Sequence, residues 1–531
     1  MELLDCKSFK EMILSGAYNL ANNAERVNKL NVFPVPDGDT GTNMNMTMAS
    51  AAEETAKFMN DYIGDTCKFL SKNMLMNARG NSGVILSQVF KGIAKSLTGV
   101  QSADVHQLAE AFLDGSRAAY KAIMKPVEGT ILTVVRESAE MGEYFVKKNP
   151  KCSIEDYMAY MVVEANESLK RTPELLVVLK EAGVLDSGAT GYCCILEGFN
   201  AYLQGKPVTR ADQPEEDQQT VEGYCVEIVV NLNEQYKREF VINRLETSLG
   251  RSCNDIKIAR VEDSVKLHVH SERPGDIINT LQRFGELETI NVAKLSKGHN
   301  PTLSFETVNE ERKNCAVIAV CNAEGIASKF KELAVDYIVF GGQTMNPSTQ
   351  DFVNAIKEAN AKNIIILPNN SNIILAAKQA KQLAKSCHVE VIESRSIIEG
   401  INACINYSPD VEIEDNIRSM TQAIGDIRTI SLTQAVKNTT MNGLKIRKNN
   451  YIGLLDKDLV ATGKALDKTL FATIDQAAEQ QEISYLTIIY GKQITKAHAQ
   501  TVLDYAVEKF DAEGELIAGQ QDLYPYIIGV E

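Results

Sequence analysis

Two aspartates and two glycines alternate in the stretch DGDTG, at positions 37–41 of a 531-residue chain. Prolines at positions 34 and 36 precede it and favour extended backbone at the residues before them. Side chains two positions apart on an extended chain point the same way, so Asp37 and Asp39 would present two carboxylates together. Paired carboxylates of this kind are ligands for Mg²⁺. The alternative is that Asp37 starts a turn and Asp39 caps the next helix.

An apolar, helix-like run begins near Thr40, directly after the two acids. The free amides in the first turn of a helix bind phosphate oxygens, and glycines let a ligand approach the backbone closely. The pattern therefore predicts a joint metal and phosphate site. The helix start would contribute Thr40, Gly41, Thr42 and Asn43.

Three more glycine-broken helix starts, GNSG, EGT and DSGA, follow within the first 200 residues. Ordinary helix capping explains each of them equally well when it is taken alone. Four such starts in one helical domain predict a shared crater for phosphates and metal if they meet at one end. The residues that these three starts would contribute to the crater are Gly80, Asn81, Ser82, Gly83, Thr130, Asp186, Ser187, Gly188 and Ala189.

A second candidate site lies in the stretch KLHVHSERPG. His268 and His270 are two positions apart on a predicted strand and therefore face the same way, and Cys225 belongs to the first strand of the same module. Two imidazoles and a thiolate form a ligand set for Zn²⁺. The alternative is an ordinary pair of surface histidines.

Two polar loops in the last third of the chain, FGGQTMNPST and LPNNSNI, each follow a predicted strand. Ligands of parallel α/β sheets bind in the loops after the strands' carboxyl ends. A binding site and ordinary turn chemistry explain these loops equally well. The residues concerned are Gly341, Gly342, Thr344, Asn346, Ser348 and 369–371.

The elements that carry these residues fall into three regions. Apolar residues recur every three to four positions through residues 1–203, which predicts an all-α domain, and a polar linker spans residues 204–222. Residues 223–310 follow the order β-α-β-β-α-β, which predicts a small α+β domain of ferredoxin-like type. Residues 311–531 alternate short apolar strands with helices, which predicts a parallel α/β domain up to the end of the chain.

The composition argues against several classes of function. A formal net charge of −15, without a basic run, disfavours binding to nucleic acid. No apolar stretch reaches the length that spans a bilayer, and the first residues carry no secretory signal, so no transmembrane segment is predicted. The eleven cysteines lack regular spacing, as in proteins of the reducing cytoplasm.

The four helix-start stretches, in this order, resemble the nucleotide-binding (DhaL-type) domain of the dihydroxyacetone kinases. That resemblance implies a helical barrel in which an acidic loop binds two Mg²⁺ ions beside ATP or ADP. The whole chain, including NVFPVPDGDTGTNM and GGQTMNPS, is similar to the ATP-binding component of bacterial fatty acid kinase. This second resemblance implies a DegV-like C-terminal domain and a homodimer.

The fatty acid kinase resemblance implies phosphoryl transfer from ATP to a fatty acid carboxylate that a separate fatty-acid-binding protein presents, giving acyl phosphate for phospholipid synthesis. A third aspartate of the dihydroxyacetone kinases falls on Val32 here, so Asn31 is expected to join Asp37 and Asp39 as a Mg²⁺ ligand. The proline of that family's D-P-G-A segment is Ser187. Both departures favour fatty acid kinase. The alternatives are a kinase for a small polyol or ketone such as dihydroxyacetone, and an ADP-binding scaffold without turnover.

Overall fold

The computed structural model describes residues 1–31, 38–211, 223–239, 245, 249, 253–261, 263–294, 312–342, 346–436, 438–441 and 443–531. The chain divides into two compact units, one made of Met1–Ala211 with Glu311–Glu531 and the other of Asp212–Glu310. The helical and the C-terminal regions therefore share one unit, while the domain boundaries drawn from the sequence stay a prediction. Across the described ranges, every helix is too short or too polar to cross a membrane.

The N-terminal region is helical, as the apolar periodicity predicts. Its described helices are α1 (Cys6–Leu30), α2 (Thr40–Lys57), α3 (Ile63–Met76), α4 (Gly80–Ser96), α5 (Val105–Ala122), α6 (Ile131–Lys148), α7 (Ile154–Leu175), α8 (Val177–Ala182) and α9 (Ser187–Leu203). Successive helices lie side by side and α9 returns to contact α1, so the helices close a ring. The apolar faces meet inside it, with Leu20, Met44, Leu86 and Val135 among the buried residues.

Helices α1 and α2 approach each other closely where α2 begins. A Cβ at Gly41 would lie 2.2 Å from the carbonyl oxygen of Ala24, so only glycine fits between the two backbones. The residues that end the acidic stretch are thereby held against α1. This contact fixes the direction in which the first turn of α2 points its amides.

The middle unit contains a four-stranded antiparallel sheet in the order β2-β3-β1-β4. Its described elements are β1 (Tyr224–Leu232), α10 (Tyr236–Glu239), β2 (Cys253–Val261), β3 (Ser264–Ser271), α11 (Pro274–Gln282) and β4 (Gly285–Lys294). Alternate residues of β1 and β3, including Val226, Ile228 and Leu267, form the core with Ile277 and Leu281 of α11. The ferredoxin-like assignment stays a prediction, because most of the helix expected between β1 and β2 lies outside the described residues.

The C-terminal region is α/β, as predicted, and it contains two large sheets. The first sheet is parallel, in the order β6-β5-β7-β8. Its elements and the neighbouring helices are β5 (Lys313–Cys321), α12 (Glu324–Glu332), β6 (Tyr337–Phe340), α13 (Thr349–Glu358), β7 (Ala361–Leu367), α14 (Ile374–Leu383), β8 (His388–Val391), α15 (Ile397–Ile405) and α16 (Ile413–Asp426). Its strands read as continuous apolar runs because helices cover both faces.

The prediction of a parallel sheet up to the end of the chain is wrong for the second sheet. Its order is β13-β12-β9-β16-β14-β15, and of the described pairs only β14–β15 is parallel. A tight turn at Asp456 joins β12 to β13, which leaves no room for the crossover that parallel strands need. The elements are β9 (Arg428–Gln434), β10 (Thr439–Met441), β11 (Leu444–Ile446), β12 (Tyr451–Leu455), β13 (Asp458–Gly463), α17 (Leu466–Ala478), β14 (Tyr485–Tyr490), α18 (Lys496–Phe510), β15 (Glu513–Ala518) and β16 (Tyr526–Val530).

The helical ring and the parallel sheet region share a hydrophobic core. Ala78, just before α4, and Val84, in its second turn, belong to the same buried cluster as Ile318, Phe352 and Ala377 of the α/β region. Helix α4 also contacts α14. The start of α4 is therefore held between the two regions.

Candidate metal and nucleotide site

The four glycine-broken helix starts lie together in the structure. The Ser187 hydroxyl, at the start of α9, lies 3.3 Å from the Thr40 hydroxyl at the start of α2. A Cβ at Gly188 would lie 3.3 Å from both the Ser82 hydroxyl in α4 and the Ile131 side chain in α6. The amino ends of α2, α4, α6 and α9 consequently meet in one place. Such a meeting concentrates the positive ends of four helix dipoles.

Asp39 directly precedes α2, one of these four helices, and it is buried, with 6% of its surface exposed. Within the described residues its carboxylate caps no amide of α2, which disfavours the simple capping alternative. It accepts a 2.6 Å hydrogen bond from the Asn346 side chain instead. Burial raises the pKa of Asp39, although hydrogen bonds from Asn43 and Asn346 oppose that rise. The carboxylate is thus held in one orientation in a poorly solvated position.

Gly80 brings the start of α4 against α2. Its φ of +59° is a conformation that glycine adopts at little cost, and a Cβ there would lie 2.8 Å from the Asn43 amide. Gly83 is equally tight, since its Cβ would lie 2.3 Å from the Thr47 hydroxyl. Asn81 points toward the α/β region, where its amide nitrogen lies 3.4 Å from the Asn372 side-chain oxygen. Among the four GNSG residues, only Ser82 has a hydroxyl, and this hydroxyl lies beside Gly188 at the start of α9.

Asp186 joins the starts of α9 and α6. Its carboxylate accepts a 2.7 Å hydrogen bond from the Ala189 amide and another hydrogen bond from the Ile131 amide. Burial raises the pKa of Asp186 to about 6, against the effect of those two bonds. Thr130 caps α6 through its hydroxyl, 3.4 Å from the Leu132 amide. Thr130 and Asp186 therefore organise the rim of the site as helix caps.

The predicted Mg²⁺ ligands are only partly described. Asp37 lies outside the described residues, and Asn31 directly follows α1, with its amide bonded to the Asn28 carbonyl. Asn28 makes the described side-chain contact with α2, because its carboxamide donates to the Thr42 hydroxyl at 2.9 Å and accepts from the Thr42 amide at 3.1 Å. Asn28 was missed from the sequence. A polar residue one turn before Asn31 was the available signal.

Two further residues lie near the site, and of these Asn346 was not assigned to it from the sequence. Asn346 reaches Asp39 from the α/β region, 307 positions away. The Arg79 guanidinium donates a 2.6 Å hydrogen bond to the Asn346 carbonyl oxygen and lies 3.6 Å from the Asp351 carboxylate. The polar loop GGQTMNPS was a signal for Asn346, but it did not indicate which partner the loop contacts.

The two polar loops of the α/β region separate in the structure. Gly341, Gly342 and residues 369–371 line a cavity of about 530 Å³ beside Arg395 and Lys457. Asn346 turns away to the helix starts, Ser348 caps α13, and Thr344 lies outside the described residues. The predicted loop site is therefore divided between a cavity and a contact with the helical ring.

The predicted ligand set of the middle unit is gathered on adjacent strands. Cys225 pairs with His270 across β1 and β3, and Glu227 pairs with His268. The Cys225 sulfur and one ring nitrogen of each histidine all lie within 4.8 Å of one another. His268 has no exposed surface, so it is not a surface histidine. The Glu227 carboxylate lies 3.5 Å from Nδ1 of His268 and was missed from the sequence.

Comparison with known proteins identifies the class first. The DAK2 domain model matches residues 34–201, so the helical ring is a domain of a kinase family. The models for the middle domain and the C-terminal domain of FakA-like proteins, a fatty acid kinase family, match residues 221–302 and 316–531.

The relatives extend these matches to the whole chain. An uncharacterized protein of Staphylococcus aureus (strain USA300) and protein YloV of Bacillus subtilis (strain 168) are each 38% identical, over 99% of this chain and 99% of their own length. The chain belongs to the FakA-like family of fatty acid kinase proteins.

Solved structures show weaker similarity. A DegV family protein from Ruminococcus gnavus, solved with vaccenic acid, is 12% identical over 41% of this chain and 100% of its own, with a TM-score of 0.32. The dihydroxyacetone kinase of C. freundii is also 12% identical, over 41% of this chain and 48% of its own, with a TM-score of 0.31. Similarity at this level carries no argument about function.

Proposed function

We propose that this protein is an ATP-dependent kinase that phosphorylates the carboxylate of a fatty acid presented by a separate fatty-acid-binding protein. The observation that carries the proposal is the meeting of four helix amino ends, one of which directly follows the buried Asp39. Membership of the FakA-like family supports the choice of acceptor. The products are acyl phosphate and ADP, which the fatty-acid-binding protein and the helix ring would release.

The described residues suit a magnesium–nucleotide complex. Mg²⁺ takes one or two protein carboxylates and shares phosphate oxygens and water for the rest of its shell. Asp39 is a buried carboxylate that carboxamide donors already hold in place, and the positive ends of four helix dipoles favour the negative charge of phosphate oxygens. The proposed ligands of the metal are Asp37, Asp39 and Asn31. When bound, Mg²⁺ would neutralise charge on the transferring phosphoryl group.

The residues of the chain act chiefly by positioning. The amides and hydroxyls of residues 40–43 and Ser82 would hold the phosphates, and the cap formed by Thr130 and Asp186 would border the rest of the nucleotide. A fatty acid carboxylate is already ionised near pH 7, so the acceptor needs no general base. Alignment of the acceptor with the γ-phosphate and offset of its charge then account for the catalysis.

The test is to incubate the protein with ATP, Mg²⁺ and a lipid-loaded fatty-acid-binding protein and to trap acyl phosphate as a hydroxamate. We expect product only when all components are present. A parallel reaction offers dihydroxyacetone without the lipid carrier. Phosphorylation of dihydroxyacetone alone would favour the small-polyol kinase, and ADP binding without turnover of either acceptor would favour the scaffold. Either result overturns the proposal.

The family also supports finer proposals about assembly. We propose that Cys225, His268 and His270 hold a Zn²⁺ ion, since a sulfur and two ring nitrogens within 4.8 Å need only small movements to reach tetrahedral positions. Glu227, beside His268, would orient that ring. We further propose a homodimer that works in the cytoplasm, where ATP is made, and a DegV-like fold for the α/β region.

A further inference from the structure

The loop that leads into α13 of the α/β region crosses to the helix ring at the proposed nucleotide site. Ser348 forms a backbone bridge with Arg79, and the Thr349 amide donates a 3.2 Å hydrogen bond to the Ala78 carbonyl oxygen. The Arg79 guanidinium donates a 2.6 Å hydrogen bond to the Asn346 carbonyl oxygen. These contacts leave the Asn346 backbone little freedom beside the start of α4.

The Asn346 side chain is almost fully enclosed, with 1% of its surface exposed. Its nitrogen lies 2.6 Å from one carboxylate oxygen of Asp39 and 3.6 Å from the place that a Cβ on Gly80 would occupy. The opposite amide orientation would set two acceptor oxygens against each other, so the nitrogen faces Asp39. Among the described residues, the amide oxygen of Asn346 has no hydrogen-bond partner.

A buried acceptor without a partner is rare in folded proteins and calls for an explanation. An explanation that suits this position is a donor that arrives with the ligand. Mg²⁺ keeps several water molecules when it binds to proteins, and each such water can donate to a nearby amide oxygen. Asn346 combines a donor aimed at a proposed metal ligand with an acceptor that has no partner among the described residues.

We propose that Asn346 is a positioning residue that the α/β region contributes to the metal–nucleotide site. Its amide nitrogen fixes the rotamer of the Asp39 carboxylate, and its amide oxygen accepts a hydrogen bond from water on the bound metal. The inference rests on the proposed function only in taking Asp39 as a metal ligand. On this inference the helix ring alone lacks one residue of the metal–nucleotide site, because the α/β region supplies it.

A variant that merely loosened the contact between the helix ring and the α/β region would also weaken metal binding. The test therefore needs a matched control, which the chain offers. Gln379 in α14 accepts a 3.3 Å hydrogen bond from Gln88 in α4, and both side chains are buried. This bond also joins α4 of the ring to the α/β region, but it does not involve Asp39. Gln379→Ala removes it without touching the proposed metal ligands.

The experiment measures the affinity of the full-length protein for Mn²⁺ in the presence of ADP by electron paramagnetic resonance. We expect Asn346→Ala to weaken Mn²⁺ binding about 10- to 100-fold, the range seen when outer partners of metal ligands are removed. Gln379→Ala should stay within about twofold of the wild type, because it leaves the Asp39 carboxylate in place. Metal-free melting temperatures of the two variants should agree. Equal Mn²⁺ affinity of Asn346→Ala and Gln379→Ala would overturn the inference.

A second variant keeps the test decisive if Asn346→Ala does not fold. Asn346→Ser replaces the carboxamide by a shorter hydroxyl, which can still donate and accept a hydrogen bond, and its Mn²⁺ affinity should fall between those of the wild type and the alanine variant. Wild-type affinity in Asn346→Ser, with a lowered melting temperature, would assign Asn346 a structural role only and overturn the inference. Tight Mn²⁺ binding by the wild type without acyl phosphate formation would remove the proposed function and leave this inference standing.

Discussion

The candidate metal and nucleotide site at the amino ends of α2, α4, α6 and α9, here called the helix-end site, and the Cys225–His268–His270 cluster are assembled in opposite ways. The cluster uses two neighbouring strands, and pairing of Cys225 with His270 is enough to bring the ligands together. The helix-end site draws its groups from four helices and from a loop 307 positions beyond Asp39. A ligand set on paired strands follows from the pleat and the register alone. A set at helix ends depends on how every helix of the ring packs.

This difference affects how each site responds to change. The cluster depends on one sheet, so a substitution outside the middle unit should leave it unaffected. The helix-end site depends on close backbone contacts, such as Gly41 against Ala24 and Gly83 against Thr47, where an added methyl group has no space. Its polar groups are also linked, since Asp39 accepts hydrogen bonds from both Asn43 and Asn346.

The largest effect should come from Asp39→Asn, which tests whether the helix-end site acts as one unit. The variant keeps the shape of the side chain but loses the charge that would bind Mg²⁺, so acyl phosphate formation should fall about 100-fold or more. The control is Asp114→Asn, since Asp114 on α5 pairs with Arg117 at the surface, and this variant should keep wild-type activity. If Asp39→Asn turned over substrate nearly as fast as the control, Asp39 would take no part in the reaction.

The second prediction concerns the cluster on the paired strands. Cys225→Ser should lower the zinc content of the purified protein by about tenfold or more, because a neutral hydroxyl replaces a thiolate ligand. Metal content is measured by mass spectrometry after dialysis. Cys152→Ser is the control, since Cys152 lies in the helical region and is only partly buried. Equal zinc in both variants, or a wild type that takes up none, would contradict the assignment.

Much of the fold could be predicted from local patterns. Apolar residues at helical spacing indicated the helices of the ring, and continuous apolar runs indicated the strands of the parallel sheet. The antiparallel second sheet was not predicted, because the tight turn at Asp456 resembles any other polar break in the sequence. Strand direction there is decided by the length and shape of the connections.

The candidate site was predictable to the extent that it lies at helix starts. Glycine next to aspartate, serine or threonine indicated where amides would be available, and the ring brings those starts together. The contributions of Asn28 and Asn346 were not predictable, because a carboxamide has no preferred partner until tertiary packing selects one. Asp39 illustrates both cases, since its position followed from the sequence and its hydrogen-bond donor did not.

The third prediction concerns stability rather than activity: Asp186→Asn tests whether the buried carboxylate at the rim of the helix-end site destabilises the folded protein when it is ionised. Burial raises the pKa of Asp186 from its ordinary value of 3.8 to about 6 in the folded protein. The folded state therefore holds a proton more tightly than the unfolded state between these two pH values. The free energy of unfolding is highest below the lower value and falls as the pH rises through about 6, by up to about 3 kcal/mol.

Asparagine at position 186 cannot ionise, so Asp186→Asn should lose this part of the pH dependence while its side-chain oxygen still accepts from the Ala189 amide. Urea unfolding at several pH values between about 4 and 7 measures the slope for both proteins. Relative to the wild type, the variant should gain stability as the pH rises across that range. Asp114→Asn should keep the wild-type slope. If all three slopes agree, the Asp186 carboxylate carries no such cost, and the caps of α6 and α9 are as well solvated as a surface turn.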